Sequence, residues 1–234
     1  MNILLTGASR GIGAATLEAL NSAGHRVEGH STRGGNGLIA GDLSDPQSPR
    51  KIWEAALERS GGRIDALVNN AGIFEGVAVD AADDEWDAAW ARTLQVNLQA
   101  TASLCRLAIN HYCQRGEGGR IVNVASRAAY RGDSPNHWHY AASKAGMIGM
   151  TKTIARSYAA NNILVFAVAP GFTVSEMTEE YLTGRGGSQI LADIPLGRVT
   201  NTKEVAEAIR WLATEAPAAS TGSVIDLNGA SYVR

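Results

Sequence analysis

Short apolar runs alternate with longer helical patterns along the chain of 234 residues. The runs predict strands at residues 2–6, 26–31, 37–40, 64–69, 120–125, 163–168 and 223–227. Helical periodicity covers residues 11–23, 46–58, 83–114, 137–160 and 202–214. Because strands that alternate with helices form parallel sheets covered on both faces, the pattern predicts an α/β fold with a doubly wound, seven-stranded parallel sheet.

No linker, repeat or low-complexity tract interrupts this rhythm, so residues 1–234 are interpreted as one domain. Residues 174–196 break it locally and are predicted to form a mobile insert, punctuated by Gly184, Gly186 and Gly187. After the insert, Thr202 is predicted as the N-cap of the last helix.

Composition narrows the range of partners. The chain has 21 basic and 23 acidic residues, a net charge of −2, which gives no electrostatic reason to expect nucleic acid or an anionic membrane. No apolar run is long enough to span a bilayer, and the N-terminus lacks the pattern of a signal peptide. The two cysteines, Cys105 and Cys113, match no metal or disulfide spacing, so a cytoplasmic protein without metal is expected.

A glycine-rich turn joins the first strand to the first helix. It reads Thr-Gly-Ala-Ser-Arg-Gly-Ile-Gly from Thr6 to Gly13. Glycines allow backbone N–H groups to approach a pyrophosphate, and the helix N-terminus adds partial positive charge. The same residues also build ordinary tight turns, so this feature alone is weak.

Five further motifs follow in order along nearly the whole chain. They are Asn-Asn-Ala-Gly at 69–72, Asn97, Ser126, Tyr140 with Lys144 in Tyr-x-x-x-Lys, and Pro170-Gly171. Together with the glycine turn, this series resembles the short-chain dehydrogenase/reductase family, and bacterial 3-oxoacyl-acyl carrier protein reductases in particular. The resemblance implies a Rossmann-type NAD(P)-binding domain, an oxidoreductase activity and a substrate lid in the insert.

Tyr140 and Lys144 carry the predicted chemistry. Carbonyl reduction needs a proton donor, and a tyrosine whose ordinary pKa is about 10 is more useful if a nearby cation lowers that pKa. A spacing of four residues places both side chains on one helix face. Ser126, after the fifth strand, is expected to orient the substrate oxygen. The resemblance implies that Asn97 supports a water that relays protons to the lysine; from the residues alone, a helix irregularity or a satisfied buried amide explains it equally well.

The end of the second strand predicts the cofactor. An acidic residue there would bind the ribose 2′-hydroxyl of NAD, but the sequence reads Ser31-Thr32-Arg33. Arg33 and Arg10 are therefore expected to clamp a 2′-phosphate, which predicts NADP(H). The alternative is that Arg33 lies on a solvated loop.

The complete set of predicted cofactor contacts extends over both ends of the site. It contains Gly7, Ser9, Arg10, Gly11, Ile12, Gly13, Ser31, Thr32, Arg33, Asp42, Leu43, Asn69, Ala71, Gly72, Tyr140, Lys144, Pro170, Gly171 and Thr173. The resemblance places Asp42 and Leu43 beside the adenine, although Asp42 would equally suit the entry to a helix.

The predicted function is hydride transfer from NADPH to a ketone or aldehyde carbonyl, or the reverse from a secondary alcohol. An NAD-dependent secondary-alcohol dehydrogenase and a non-catalytic cofactor sensor are the alternatives. No Gly-x-Ser-x-Gly elbow supports a hydrolase. His137 and His139 are predicted to point apart at a helix start and to bind no metal.

The substrate is predicted from apolar residues around the site. Phe74, Ala128, Trp138, Phe172, Met177 and Tyr181 would favour an apolar or aromatic group, although each could instead be core or subunit contact. A 3-oxoacyl thioester is possible, but Glu117 and Asn162 offer an acidic carrier little positive charge. The resemblance implies a homo-oligomer, a dimer or tetramer, and a stripe of Trp86, Trp90 and Leu94 fits either an interface or a core.

Overall fold

The computed structural model describes residues 1–173 and 191–234. Its centre is a sheet of seven strands, every neighbouring pair of which is parallel, in the order β3-β2-β1-β4-β5-β6-β7. The strands are β1 Asn2–Leu5, β2 Arg26–Ser31, β3 Ile39–Ala40, β4 Ala66–Asn69, β5 Gly119–Val124, β6 Ile163–Pro170 and β7 Val224–Leu227. The predicted doubly wound α/β fold is confirmed.

Both faces of the sheet are covered by helices. They are α1 Gly11–Ser22, α2 Ser48–Arg59, α3 Asp83–Leu94, α4 Ala100–Arg115, the short α5 Ala128–Arg131, α6 Trp138–Tyr158 and α7 Thr202–Thr214. In β1, Leu4 belongs to the apolar core under α2 and α4, whereas Ile3 and Leu5 belong to the core that includes α7. Burial on both sides explains why β6, all eight residues of which are buried, is continuously apolar.

The order of strands reverses between β1 and β4, which both pair with parallel neighbours. β1 leads through α1 to β2 on one side, whereas β4 leads to β5 on the other. The carboxyl ends of β1 and β4 therefore open a crevice between diverging connections. Open α/β sheets bind ligands at such a point.

Two predicted helix features are corrected. The stretch 83–114 is not one α-helix, because a π-helix at Gln95–Gln99 separates α3 from α4. The N-cap of α7 is Asn201 rather than Thr202: the Asn201 side chain accepts a hydrogen bond from Lys203 N, while Glu204 bonds back to the Asn201 N–H. This capping box satisfies two backbone donors that Thr202 would leave open.

The predicted mobile insert falls mostly outside the described residues, which resume at Leu191. Its final part is held in place: Ile194 is buried, and the Leu196 N–H donates to Gly229 O at 3.1 Å. At this end of the predicted insert, Ile194 and Leu196 thus lie against Gly229 of the C-terminal segment. Among the described helices, none combines the length and hydropathy needed to cross a membrane.

Candidate active site

The glycine-rich turn is fastened to the end of β4. The Thr6 hydroxyl oxygen accepts hydrogen bonds from the N–H groups of Asn70 and Ala71, both at 3.0 Å. In return the Asn70 amide donates to Thr6 O at 3.1 Å and to Gly7 O at 3.0 Å. These four bonds fix the turn's backbone beside the Asn-Asn-Ala-Gly segment, in the crevice between β1 and β4.

Close packing requires glycine at two positions of this turn. A Cβ at Gly13 would lie 1.9 Å from Gly7 O, and one at Gly7, whose φ is +67°, would lie 2.8 Å from the Ala71 Cα. Arg10, the N-cap of α1, contributes no side-chain hydrogen bond to the helix start. The turn thus combines closely packed backbone at Gly7 and Gly13 with a helix N-terminus that has no side-chain cap, which suit a phosphate group.

His30 is a contact that the sequence did not reveal. It lies in β2 and is almost fully buried, with Nδ1 accepting from the Gly7 N–H at 3.3 Å and Nε2 lying 2.8 Å from Gly41 O. Burial lowers the pKa of His30, with smaller opposing contributions from Gly41 and Asp42. The neutral ring joins the glycine turn to the segment after β3. A lone histidine in the short strand β2 gave no signal of this role.

The end of β2 lies next to this turn, because Leu5 pairs with Gly29 in the parallel register. Thr32 and Arg33 are exposed there, as is Arg10 on the turn. Ser31 is buried and its hydroxyl accepts from Gly34 N at 3.1 Å, so it already stabilises a local loop.

Glu28, the nearest acid in the strand, is held by Arg26 at 3.1 Å. The exposed guanidinium groups of Arg10 and Arg33 therefore leave positive charge at the carboxyl end of β2.

Three predicted cofactor contacts also have partners within the chain. The Asp42 carboxylate accepts from Ser44 N at 2.9 Å, and this bond lowers its pKa. The Leu43 side chain is buried in the core. The Asn69 amide is buried and donates to Asn123 Oδ1 at 2.9 Å. The side chains of Leu43 and Asn69 support the site from below, while Asp42 shapes the loop that leads to α2.

Tyr140 and Lys144 share the first turns of α6, as predicted. The Lys144 Nζ atom lies 5.8 Å from the Tyr140 ring centroid and donates to Val124 O, at the end of β5, at 2.8 Å. The side chain is 4% exposed, and burial lowers the pKa of Lys144 to about 8. The lysine is thus held between the sheet and the tyrosine.

Ser126 lies at the carboxyl end of β5, next to Tyr140. Burial raises the pKa of Tyr140 to about 12, although a hydrogen bond with Ser126 lowers it in part and the charge of Asp133 adds to the rise. The expectation that the pKa of Tyr140 is lowered is therefore wrong for the groups of the chain itself, because burial of the phenol raises this pKa by more than those groups lower it. Tyr140 consequently keeps its proton at neutral pH.

Asn97 stands in the middle of the π-helix. Its amide donates to Ile73 O at 3.0 Å and to Ser143 Oγ at 3.2 Å, and its Oδ1 accepts from Ile73 N at 2.8 Å. Both interpretations from the residues alone, a helix irregularity and a satisfied buried amide, are therefore correct. A Cβ on Gly72 would lie 3.3 Å from Asn97 Oδ1 and 3.4 Å from Lys144 Nζ, so this glycine separates the amide from the lysine.

Aromatic rings border the tyrosine on its open side. Phe74 and His137 stack with centroids 3.9 Å apart, and Phe74 meets the Tyr140 ring at 4.8 Å and 83°. Trp138 packs on Trp86 at 5.4 Å instead. Phe172 lies under the guanidinium of Arg127, 4.7 Å from its ring centroid, and Ala128 is buried. Met177 and Tyr181 lie outside the described residues.

The two histidines do not point apart as predicted. Their rings are nearly parallel, with centroids 6.5 Å apart, because His139 turns inward to full burial beside Trp90. Burial lowers the pKa of both rings. Across residues 1–173 and 191–234, no group of three metal-binding side chains comes together.

The end of β6 completes the rim. Pro170 is the last residue of the strand, and Gly171 lies so close to Asn228 that a Cβ would come within 2.8 Å of its Cβ. Thr173 is buried and donates to Gly171 O at 3.2 Å. These residues close the carboxyl edge of the sheet opposite the glycine turn.

Comparisons with known proteins agree with this geometry. The family model described as enoyl-(acyl carrier protein) reductase matches residues 7–229. The chain is 34% identical to the 3-oxoacyl-(acyl-carrier-protein) reductase of Escherichia coli, over 98% of this chain and 96% of that protein. It is 38% identical to nodulation protein G of a Rhizobium species, over 97% and 94%.

A solved structure has the same architecture. It is a candidate 2-deoxy-D-gluconate 3-dehydrogenase of Agrobacterium tumefaciens with bound NADP, with a TM-score of 0.87 and 28% identity. The match covers 100% of this chain and 96% of that one.

Proposed function

Because this chain belongs to the short-chain dehydrogenase/reductase family, we propose that it is an NADP-dependent oxidoreductase that reduces a carbonyl compound to an alcohol. The observation that carries the proposal is the convergence of Ser126 and Lys144 on Tyr140 beside the glycine turn. The NADP in the solved relative supports the choice of cofactor.

Tyr140 is the proton donor in this proposal. Its raised pKa keeps the phenol protonated near neutral pH, which is the form that carbonyl reduction needs. Ser126 donates a hydrogen bond to the substrate oxygen and holds it near the phenol. Negative charge that develops on that oxygen during reduction then favours transfer of the phenolic proton.

Lys144 stabilises the phenolate that forms. Its Nζ lies within 6 Å of the tyrosine ring, and its contact with Val124 O keeps it there. Because burial lowers the pKa of Lys144 to about 8, the side chain can also pass on a proton near neutral pH. Asn97, across Gly72, is the polar group placed to continue that path.

The residues of the turn fit a dinucleotide. Gly7 and Gly13 leave the space that a Cβ would fill, and the N-terminus of α1 lacks a side-chain cap. A nicotinamide dinucleotide held with its phosphates at this turn would supply the hydride for the carbonyl carbon. Arg10 and Arg33 are proposed to hold the 2′-phosphate, since both are exposed at the adjoining strand ends.

Exchange of the proposed proton donor tests the function. Tyr140→Phe should reduce kcat for NADPH-dependent ketone reduction by about 10³-fold, within the range for general acid catalysis, and leave the Kd of NADPH unchanged. Tyr130→Phe is the matched control, because Tyr130 stacks on Tyr232 away from Lys144. Full activity in Tyr140→Phe would rule out Tyr140 as the proton donor, whereas absence of reductase activity in the unaltered chain would favour a cofactor-sensing role.

Exchange of the proposed clamp tests the cofactor. Arg33→Asp should weaken NADPH and strengthen NADH, changing the ratio of their Kd values by about 100-fold, since one cation is lost and one repulsive charge is gained. Titration by cofactor fluorescence measures both constants. An unchanged ratio would refute the assignment of Arg33 to the clamp, whereas tighter binding of NADH than of NADPH by the unaltered chain would support the NAD-dependent alternative.

We also propose a cytoplasmic homo-oligomer, a dimer or tetramer. Trp138 is 51% exposed and packs against Trp86 of α3, so these helices carry aromatic surface suited to a subunit contact. Analytical ultracentrifugation of the whole chain tests this proposal.

A further inference from the structure

Phe74 and His137 form an aromatic platform beside the proposed proton donor. Their rings are stacked and almost parallel, with an interplanar angle of 4° and centroids 3.9 Å apart. Phe74 is 42% exposed although its ring contacts Tyr140. An exposed aromatic face at a reaction centre indicates a place for an apolar group of the substrate.

The platform is held rigidly by contacts within its two loops. His137 Nδ1 lies 2.6 Å from the Ser134 hydroxyl, and the Val77 N–H donates to Asn136 O at 2.9 Å. A Cβ on Gly76 would lie 3.3 Å from the His137 ring, so the two loops are in direct contact. A ring that is fixed before binding loses little side-chain entropy when a second ring stacks on it.

The surroundings of the platform favour an uncharged ligand. Burial lowers the pKa of His137, with the charge of Asp133 opposing and that of His139 adding to the shift, so the imidazole is mainly neutral near pH 7. Asp133 and Glu75 are exposed on the same two loops, and Arg92 is paired with Glu75 at 3.3 Å. An anionic substrate group would meet carboxylates rather than a free cation here.

We propose that the substrate is an uncharged aryl carbonyl compound whose ring stacks on Phe74 while its oxygen meets Ser126 and Tyr140. This inference rests on the proposed reductase function and specifies its substrate class. Aromatic rings interact best at centroid separations of about 4.5–7 Å. A ring attached directly to the carbonyl carbon can reach the platform, because Phe74 lies 4.8 Å from the Tyr140 ring.

The test compares acetophenone with cyclohexyl methyl ketone, which have rings of equal size but only one π-system. We expect kcat/KM with NADPH to be about 10-fold higher for acetophenone, the upper end of the gain from one aromatic pair. Phe74→Leu keeps apolar volume and exposure, so it should fold normally, and it should reduce the ratio to about 2 or below.

Trp138→Leu is the matched control. Trp138 is as exposed as Phe74 and next to His137, but its ring packs on Trp86. The ratio should remain near 10 in this variant, as it does in the unaltered chain.

The outcomes separate the two proposals. If both ketones are reduced equally well by the unaltered chain, or if Phe74→Leu retains the preference, the aryl-substrate inference is wrong and the reductase function stands. If neither ketone, nor any 3-oxoacyl thioester or aldehyde tested beside them, consumes NADPH, both proposals fail together.

Discussion

The two halves of the crevice are built in different ways. On the cofactor side, polar side chains hold the backbone: the Thr6 hydroxyl accepts from Asn70 N–H, the Asn70 amide donates to Thr6 O and Gly7 O, and Gly7 and Gly13 allow this close approach. On the substrate side, side-chain rings meet side-chain rings, with Phe74 between His137 and Tyr140. At the first half, close packing leaves almost no side chain other than glycine acceptable, whereas at the second we expect one aromatic side chain to replace another of similar shape.

This contrast explains which half determines chemistry and which determines specificity. A backbone cradle recognises a phosphate through geometry that few sequences can provide. A wall of rings recognises shape and apolar area, so one substitution can retune it without loss of the fold. Tyr140 and Lys144, the proposed catalytic pair, lie where the halves meet.

Filling the backbone cradle should give the largest effect. Gly13→Ala would place a methyl group 1.9 Å from Gly7 O, so we expect a loss of about 3 kcal/mol in the free energy of unfolding and no measurable NADPH binding. Urea denaturation and cofactor fluorescence measure these changes.

Gly149→Ala in α6 is the control for Gly13→Ala. Nothing lies within 4 Å of its added Cβ, and helix propensity should make it slightly more stable. If Gly13→Ala bound NADPH normally, the cradle would be less strict than the comparison requires.

Replacement of the buried Lys144 should give the second largest effect, and it should lower activity while it raises the free energy of unfolding. Lowering the pKa of Lys144 from 10.5 to about 8 corresponds to about 3 kcal/mol of desolvation cost in the charged form. Part of this is offset in Lys144→Met by loss of the hydrogen bond to Val124 O, so a net gain of about 1–2 kcal/mol in stability is expected at pH 7, together with loss of reductase activity.

The stability difference between Lys144→Met and the unaltered chain should depend on pH in a direction that the lowered pKa of Lys144 determines. Between pH 8 and 10.5 the unfolded chain binds more protons at this lysine than the folded chain. The wild-type cost is therefore fully present below pH 8 and disappears as pH rises toward 10.5, so the stability advantage of Lys144→Met should shrink across that window. Denaturation midpoints at pH 7 and 10 measure it; an advantage that grew with pH would contradict the buried charge.

The smallest effect is expected at His30, which braces the cradle without entering it. His30→Leu should raise the KM for NADPH by about 5-fold with kcat nearly unchanged, since one hydrogen bond to the Gly7 N–H is worth about 1 kcal/mol. His30→Asn retains an acceptor near Nδ1 and should restore most of the affinity, whereas a structural defect alone would affect kcat in both variants.

The fold and the proximity of Tyr140 to Lys144 could be predicted because local rules determine them. Apolar runs in parallel strands and a four-residue spacing on a helix are visible in the sequence itself. The roles of Thr6, His30 and Asn70 could not be predicted, since each depends on contacts between segments that are distant in the chain. The orientation of His139 and the pKa of Tyr140 were misjudged for the same reason: burial follows from packing in three dimensions.

The π-helix at Gln95–Gln99 has a consequence for how this chain can change. One surplus residue in a helical turn rotates everything after it by about 100° relative to an uninterrupted α-helix. Deleting a single residue there would create a more regular helix, but it would swing the Asn97 amide away from Ile73 and turn the apolar face of α4 off the sheet. A regular α-helix and the observed packing of Asn97 and α4 cannot both be obtained here, so we expect a one-residue deletion in this segment to be selected against.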